Sequence, residues 1–418
     1  MIFHLPKPLK IDTDKILRLF PLIVYFISFR PIMSQYVFPI IPFMLIGMIM
    51  FGIMVIILFL NIGKQSKINK TVIVSFVLLI LFDLLQLIYH SDLAYLVRLR
   101  MAFMMIFIYF YITDVVGVDS FVKVYVYALA VILILAGIAS PLITLNILKP
   151  LFEYTSLDGR TGYFFGLTNA VTYIPLPAFS FVRVSGIFDE PGALAYWGVY
   201  ALILNKACLK NSMIEKILII TLSFTFSLAF YVILIAYYIM FYAKINRKNI
   251  ILFCVLMVLA LLIYNLKNTN YDFLYDATLG RFEKSDDGSF RGDTRSKLFV
   301  VAYEYFLTSP LLGLGQTAFD NISNNGNFMH ANLFAILAAH GLIGFIILPW
   351  LFFALVIDGI KRLFTSDVMK YAILLFLGFL QRPEVEYVFS VVMLAVIYTV
   401  LKRNNFSYLR INVYGTNK

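Results

Sequence analysis

Charge is scarce in this sequence: Asp, Glu, Lys and Arg make up 14% of its 418 residues. Soluble domains carry about 25%. With 61% of the residues hydrophobic, there is too little polar surface to wrap a water-soluble globule of this size, so the excess must face lipid. Cysteine is rarer still: Cys208 and Cys254 are the only two, and they give neither a metal spacing nor a disulfide framework. There is no Walker loop, zinc spacing, Gly-x-Ser-x-Gly or EF-hand pattern. Internal repeats, low-complexity tracts and inverted symmetry between halves are missing as well. Disordered, collagenous, coiled-coil and disulfide-stapled chains are thereby excluded. What remains is an all-α, polytopic integral membrane protein.

Long apolar runs are abundant. They fall near 16–33, 37–60, 71–89, 94–113, 119–147, 193–205, 215–243, 250–266, 331–357, 368–381 and 386–401. Such runs predict helices, because an open strand in lipid leaves its backbone polar groups unpaired. The formal charge of +11 does not indicate nucleic acid, because Lys and Arg bunch in short tracts between the runs. Lys64/Lys67/Lys70, Lys206/Lys210/Lys216, Lys244/Arg247/Lys248, Lys361/Arg362 and Lys402/Arg403 read as cytoplasmic. Lys7, Lys10 and Lys15 precede the first run with no small-residue cleavage site before Arg30, which reads as an uncleaved anchor. Basic tracts flank 215–243 on both sides, so this stretch should cross twice, with Thr221–Ser227 as the break; a single crossing would give about eleven in all and put the termini on opposite sides. With two crossings there, the chain makes about twelve as one membrane domain over 1–418, both termini cytoplasmic. Two long loops, 148–192 and 267–330, face the outer side. In the second, Asp293 and Thr294 can cap a helix near 294–308 that Ser309-Pro310 ends. Its aromatic and aliphatic composition suits the membrane surface.

Ionisable residues in or beside spans are costly, so each is a candidate. Arg98 and Arg100, at the outer end of the fourth span, either snorkel to headgroups or await an anionic lipid. Asp83, mid-span, is either the partner of a buried arginine or hydroxyl, the commoner case, or a catalytic carboxylate. Arg183, Glu190 and Pro191-Gly192 cluster at the start of the sixth span. There Glu190 is either a charged helix cap or a carboxylate beside an arginine, placed to orient or deprotonate a hydroxyl. Arg291 and Arg295, four apart, can share a helix face and grip a diphosphate, or form a solvated pair balanced by Asp286, Asp287 and Asp293. His330, followed by Asn332, opens the ninth span, and His340 deeper in it reads as packed against other helices. Arg382, Glu384 and Glu386 occupy a tight outer turn. Asp12-Thr-Asp14 has a metal-compatible form but falls on the cytoplasmic side, away from the rest, and no metal site is expected.

The order Arg183-x-x-Gly186-x-Phe188-x-Glu190-Pro191-Gly192, then Arg295, Ser309-Pro310-Leu-Leu-Gly313-Leu-Gly315, His330-x-Asn332-Leu and Gly341-Leu-Ile-Gly344, resembles the Wzy O-antigen polymerases. It also fits the wider superfamily they share with O-antigen ligases. Glu190-Pro191-Gly192 stands where the ligases have an Asn-Pro-Asn-like stretch, which favours polymerase. The paired Arg-x10-Gly loops of some polymerases are absent.

The resemblance implies a metal-independent glycosyltransferase of the multi-span GT-C class, without a cofactor, in the bacterial inner membrane. Such an enzyme joins oligosaccharide repeats carried on undecaprenyl diphosphate at the periplasmic face, alongside a chain-length regulator and a flippase of the same pathway. On this reading Arg291, Arg295 and Arg98 contact the diphosphate, and Arg183 is a further anion contact. Asn332 and Arg382 line the substrate groove, and Arg295 also serves catalysis. Glu190 and His330 compete as base or acceptor-positioning group. A ligase acting on lipid A–core and a lipid-linked oligosaccharide transporter are the alternatives.

Overall fold

The computed structural model describes residues 13–414 apart from 29–42, 62–68, 146, 156–160, 167, 176–179, 189, 244–257, 259–260, 270, 278, 285–295, 324–332 and 362–366. The apolar runs fold as helices: α1 (Thr13–Ser28), α2 (Phe43–Leu60), α3 (Lys70–His90), α4 (Ala94–Phe110), α5 (Val118–Thr144), α6 (Pro191–Leu204), α7 (Ser212–Ser223) and α8 (Leu228–Tyr242). Then come α9 (Asp272–Ala277), α10 (Ser296–Thr308), α11 (Gln316–Ile322), α12 (Phe334–Ile347), α13 (Trp350–Lys361), α14 (Val368–Gln381) and α15 (Val388–Tyr414). π-helical turns carry α4 on to Val116 and α6 on to Leu209. Local chemistry sets the ends. The side chain of Asn69 caps α3 through the Thr71 N–H, and that of Asn211 caps α7 through Met213 and Ile214. Pro191 occupies the first turn of α6, where its missing N–H costs nothing.

Among the described residues, four helices are long and apolar enough to cross a membrane: Lys70–His90, Ala94–Val116, Val118–Thr144 and Pro191–Leu209. A fifth candidate is the pair α12 and α13, bent by 46°. Shorter apolar helices include Leu17–Ser28, Met44–Leu60, Leu228–Tyr242 and Val368–Leu380. The run predicted near 250–266 lies largely outside the described residues. α6 is the hub: every one of its residues except Gly192 is buried, which suits a helix apolar on all sides.

The segment 148–192 departs from an all-α chain. Four strands, β1 (Phe152–Thr155), β2 (Thr161–Phe164), β3 (Asn169–Pro175) and β4 (Ser180–Gly186), form one antiparallel sheet in the order β1-β2-β3-β4. Aromatic and β-branched residues crowd these strands, the composition a pleated, half-buried surface favours. They are too short to register among hydropathy runs. Gly162 faces Tyr154 across the β1/β2 pair, and a Cβ there would lie 2.2 Å from the Tyr154 ring.

Residues 215–243 form the hairpin that the flanking basic tracts predict. At the start of α7 the Glu215 carboxylate accepts from Lys206 Nζ (3.2 Å), and from the hydroxyls of Tyr237 and Tyr242 at the far end of α8. The two helices are therefore antiparallel. Their connecting turn meets the sheet, where Arg183 Nε donates to the Thr225 carbonyl at 2.7 Å. The helix ends thus sort into two rims. One gathers Lys206, Glu215 and Tyr242 with Asp119–Arg403 and Asp358–Lys402. The other carries the sheet, the start of α4 and the start of α6.

The predicted helix near 294–308 is α10, ended by Ser309-Pro310 as expected, while Asp293 and Thr294 lie outside the described residues. α10 buries Ala302 against Phe319 of α11 and Ala335, Ala338 and Ala339 of α12.

Candidate active site

The site begins with a break in α12. Gly341 takes φ +65 and ψ −170, a conformation open to glycine and strained for any other residue. The interruption frees backbone groups that the Pro310–Gly315 segment then satisfies. Leu342 and Ile343 donate to the carbonyls of Pro310 and Leu311, and Leu314 and Gly315 donate to those of Ala338 and Ala339, at 2.9–3.2 Å. Gly313 (φ +73) and Gly341 let the two chains touch, since a Cβ on either would lie 2.3–2.4 Å from the opposing backbone. Irregular backbone of this kind survives in a membrane protein only where protein buries it or a cavity is lined.

His340, fully buried, projects from the break into an ionic cluster that joins four parts of the chain. Arg98 Nε of α4 donates to Asp83 of α3 at 3.0 Å, and its Nη1 to Glu386 at 2.5 Å. Gln316 Oε1 of α11 lies 3.4 Å from the same Nη1. His340 Nε2 is 2.7 Å from the other Glu386 oxygen, and its Nδ1 is 3.2 Å from the Tyr95 hydroxyl. A carboxylate only accepts, so Nε2 carries the proton toward Glu386. The 3.2 Å approach of Arg98 Nη1 to that nitrogen is then two donors side by side on one carboxylate. Burial pushes the Glu386 carboxyl up, but Arg98 and His340 outweigh it and hold the group well below the usual carboxylate range. Beside the cluster, Gln86 Nε2 donates to Leu312 O at 2.8 Å. Asp92, in the α3–α4 turn, accepts from the N–H and hydroxyl of Thr317 at 2.8 and 2.7 Å. Burial raises the Asp92 carboxyl, and these bonds with the Ala94 N–H more than offset that, leaving it lowered.

Glu386 lies on the turn 382–387 between α14 and α15, and the same turn builds a second cluster. Arg382 pairs with Glu190, the residue preceding α6, and its Nη1 pairs with Glu384 at 2.5 Å. Ser390 donates to the other Glu384 oxygen at 3.3 Å. Glu190 makes no side-chain cap bond to α6, so its carboxylate is committed to Arg382. Both groups are reachable from outside, with side-chain exposures of 37% for Glu190 and 21% for Arg382 against 10% for Arg98. An exposed, paired carboxylate and guanidinium at a membrane rim can bind an anion and accept a proton.

Of the residues singled out from sequence, Glu190 and Arg382 are brought into contact, Arg98 lies one turn of chain away through Glu386, and Arg183 touches the α7–α8 turn. Arg291, Arg295, His330 and Asn332 lie outside the described residues. Asp83 does pair with a buried arginine. His340 does more than pack, and Glu386 joins two clusters where the sequence offered only a polar rim. Their one sequence signal was an ionisable residue beside or within an apolar run. Among the described residues, no group of three or more His, Cys, Asp or Glu side chains is arranged to hold a metal ion.

Residues 216–348 match the O-antigen ligase family. The matched stretch holds the Pro310–Gly315 segment, Gln316 and the break at His340–Gly341, together with Arg291, Arg295, His330 and Asn332. Arg98, Glu190, Arg382 and Glu386 fall outside it. Comparison with curated proteins and with solved structures gives no match. The O-antigen ligase match supports the ligase/polymerase superfamily, whose members are glycosyltransferase-like enzymes of O-antigen assembly working on lipid-linked oligosaccharides. With the apolar helices, it indicates a multi-pass protein of a bacterial inner membrane.

Proposed function

We propose that this protein is an O-antigen polymerase that joins oligosaccharide repeats carried on undecaprenyl diphosphate at the periplasmic face of the inner membrane. The observation that carries the reading is the Arg382–Glu190 pair, accessible at the rim where the most buried helix begins and tied through Glu386 of the same turn to the broken helix of the family-matched segment. In the reaction, an acceptor sugar hydroxyl attacks the anomeric carbon of the donor. The new glycosidic C–O bond forms as the C–O bond to the diphosphate breaks, and the electron pair leaves with the diphosphate. Arg382, with Arg183, Arg291 and Arg295, supplies the positive charge that stabilises this leaving group. The hydroxyl proton passes to Glu190 or to His330, which compete for that role.

The basic rim faces the cytoplasm, both termini lie there, and the chain makes about twelve crossings in a GT-C-like arrangement. A polyprenyl-linked substrate needs a groove open to lipid, and on this reading the two long outer loops would roof it. Glu190-Pro191-Gly192 favours polymerase over ligase. A chain-length regulator and a flippase serve the same pathway. A deletion strain tests the assignment: loss of a polymerase leaves lipid A–core carrying at most one repeat. Bare core would assign the protein as the ligase.

A further inference from the structure

We infer that Arg98 is a positioning residue and not a ligand of the diphosphate. Through Glu386 it fixes the turn 382–387, and so sets Arg382 against Glu190, and the same carboxylate, shared with His340, ties the break in α12 to that point. This rests on the polymerase reading of the Arg382–Glu190 site.

Arg98 has its Nε on Asp83 and its Nη1 on Glu386 with Gln316 in reach, and only 10% of the side chain is exposed. A diphosphate approaching it meets two carboxylates already paired with that one guanidinium, so repulsion opposes the binding that its charge alone suggests. Arg382 also pairs with two carboxylates, Glu190 and Glu384, but it is more exposed, with 21% of its side chain open against 10%, and its Nε is buried with no partner among the described residues. The turn 382–387 contains no helix, and Arg382 itself is extended at φ −144 and ψ 103. Side-chain ties therefore hold it. Val385 is buried, Glu384 takes Arg382 and Ser390, and Glu386 links the turn to α4 and α12. Three residues separate Glu386 from Arg382, so freeing Glu386 loosens the arginine directly. The forked reach of Arg98 is needed because its carboxylate partners come from different elements, Asp83 on α3 and Glu386 on the turn.

The test uses full-length protein in lipid nanodiscs, as wild type, Arg98→Ala, Glu386→Gln and the double variant. Three quantities are measured: polymer-forming kcat with the lipid-linked repeat, affinity for undecaprenyl diphosphate alone, and the rate of disulfide formation between Glu190→Cys and Arg382→Cys in each background. Arg98→Ala and Glu386→Gln should each cut kcat about tenfold or more, with the double variant no worse than either single. Affinity for undecaprenyl diphosphate should stay within about threefold, and the disulfide should form more slowly. If Arg98 were a ligand, Arg98→Ala would weaken undecaprenyl diphosphate binding while Glu386→Gln, by freeing the guanidinium, left it unchanged or tighter. That pattern, or an unchanged disulfide rate, overturns the inference. Should Arg98→Ala fail to fold, Glu386→Gln carries all three readouts. A wild type that makes no polymer, with the disulfide still slowed by Glu386→Gln, sinks the polymerase reading and leaves the clamp standing.

Discussion

Glu190 and Arg382 pair across the start of α6, so removing Arg382 takes from Glu190 its ionic partner at the rim, while removing Glu190 leaves Arg382 to Glu384. Glu190→Ala and Arg295→Ala should each abolish polymer with protein level unchanged, as read from glycan ladders and immunoblots. Arg382→Lys should cost about tenfold or more in polymer, because an ammonium lacks the fork that serves Glu190 and Glu384 together. Glu386 adds a pH signature. Its carboxyl is lowered in the folded protein relative to an ordinary value near 4.3. Its stabilisation is thus complete above that ordinary value and is lost as pH falls through the folded one. Thermal unfolding in detergent should show Tm dropping on acidification in the wild type. Glu386→Gln should start lower at neutral pH and fall less. Charged residues in so apolar a chain were conspicuous, which is why Arg98, Asp83, Glu190 and Arg382 could be picked out from sequence. Their pairing could not. Arg98 meets Glu386 across 288 positions, a separation no local pattern encodes.

The break in α12 gives the family-matched segment its shape. A continuous helix would carry His340 past the cluster, whereas the interruption at Gly341 lets the Pro310–Gly315 segment dock and fixes the imidazole beneath Arg98. Gly341→Ala and Gly313→Ala combine a strained backbone with a Cβ driven into the opposing chain, at a cost of about 3 kcal/mol or more each. Lower Tm and reduced yield in detergent should follow. Gly52→Ala, where a Cβ meets nothing within 4 Å, should leave both unchanged. In the sequence these glycines stand out only as members of the motif order, Gly313-Leu-Gly315 and Gly341-Leu-Ile-Gly344. Which backbone they approach becomes visible only in the folded chain. The α7–α8 hairpin was legible because two basic tracts bracket one apolar stretch, a rule of charge topology that needs no tertiary information. The sheet was not, since its strands are four to seven residues long and helix-length windows average them away.

Across the molecule, the two rims divide the labour: basic residues and tyrosines tie the helix ends together on one side, and the sheet and ionic clusters lie on the other. Reporter fusions at residue 245 and at the C-terminus should score cytoplasmic and a fusion at residue 177 periplasmic. A periplasmic C-terminus would contradict the even number of crossings. Membrane class followed from composition, because hydropathy is a bulk property. The substrate followed only from a motif order and from the O-antigen ligase match over residues 216–348. Polymerase and ligase share that chemistry and differ in the acceptor, which decides the central claim. Purified protein in nanodiscs, supplied only with undecaprenyl-diphosphate-linked repeats, should yield a ladder of lipid-linked chains. Wild-type protein that leaves the repeats single, but transfers a repeat once lipid A–core is added, would contradict it.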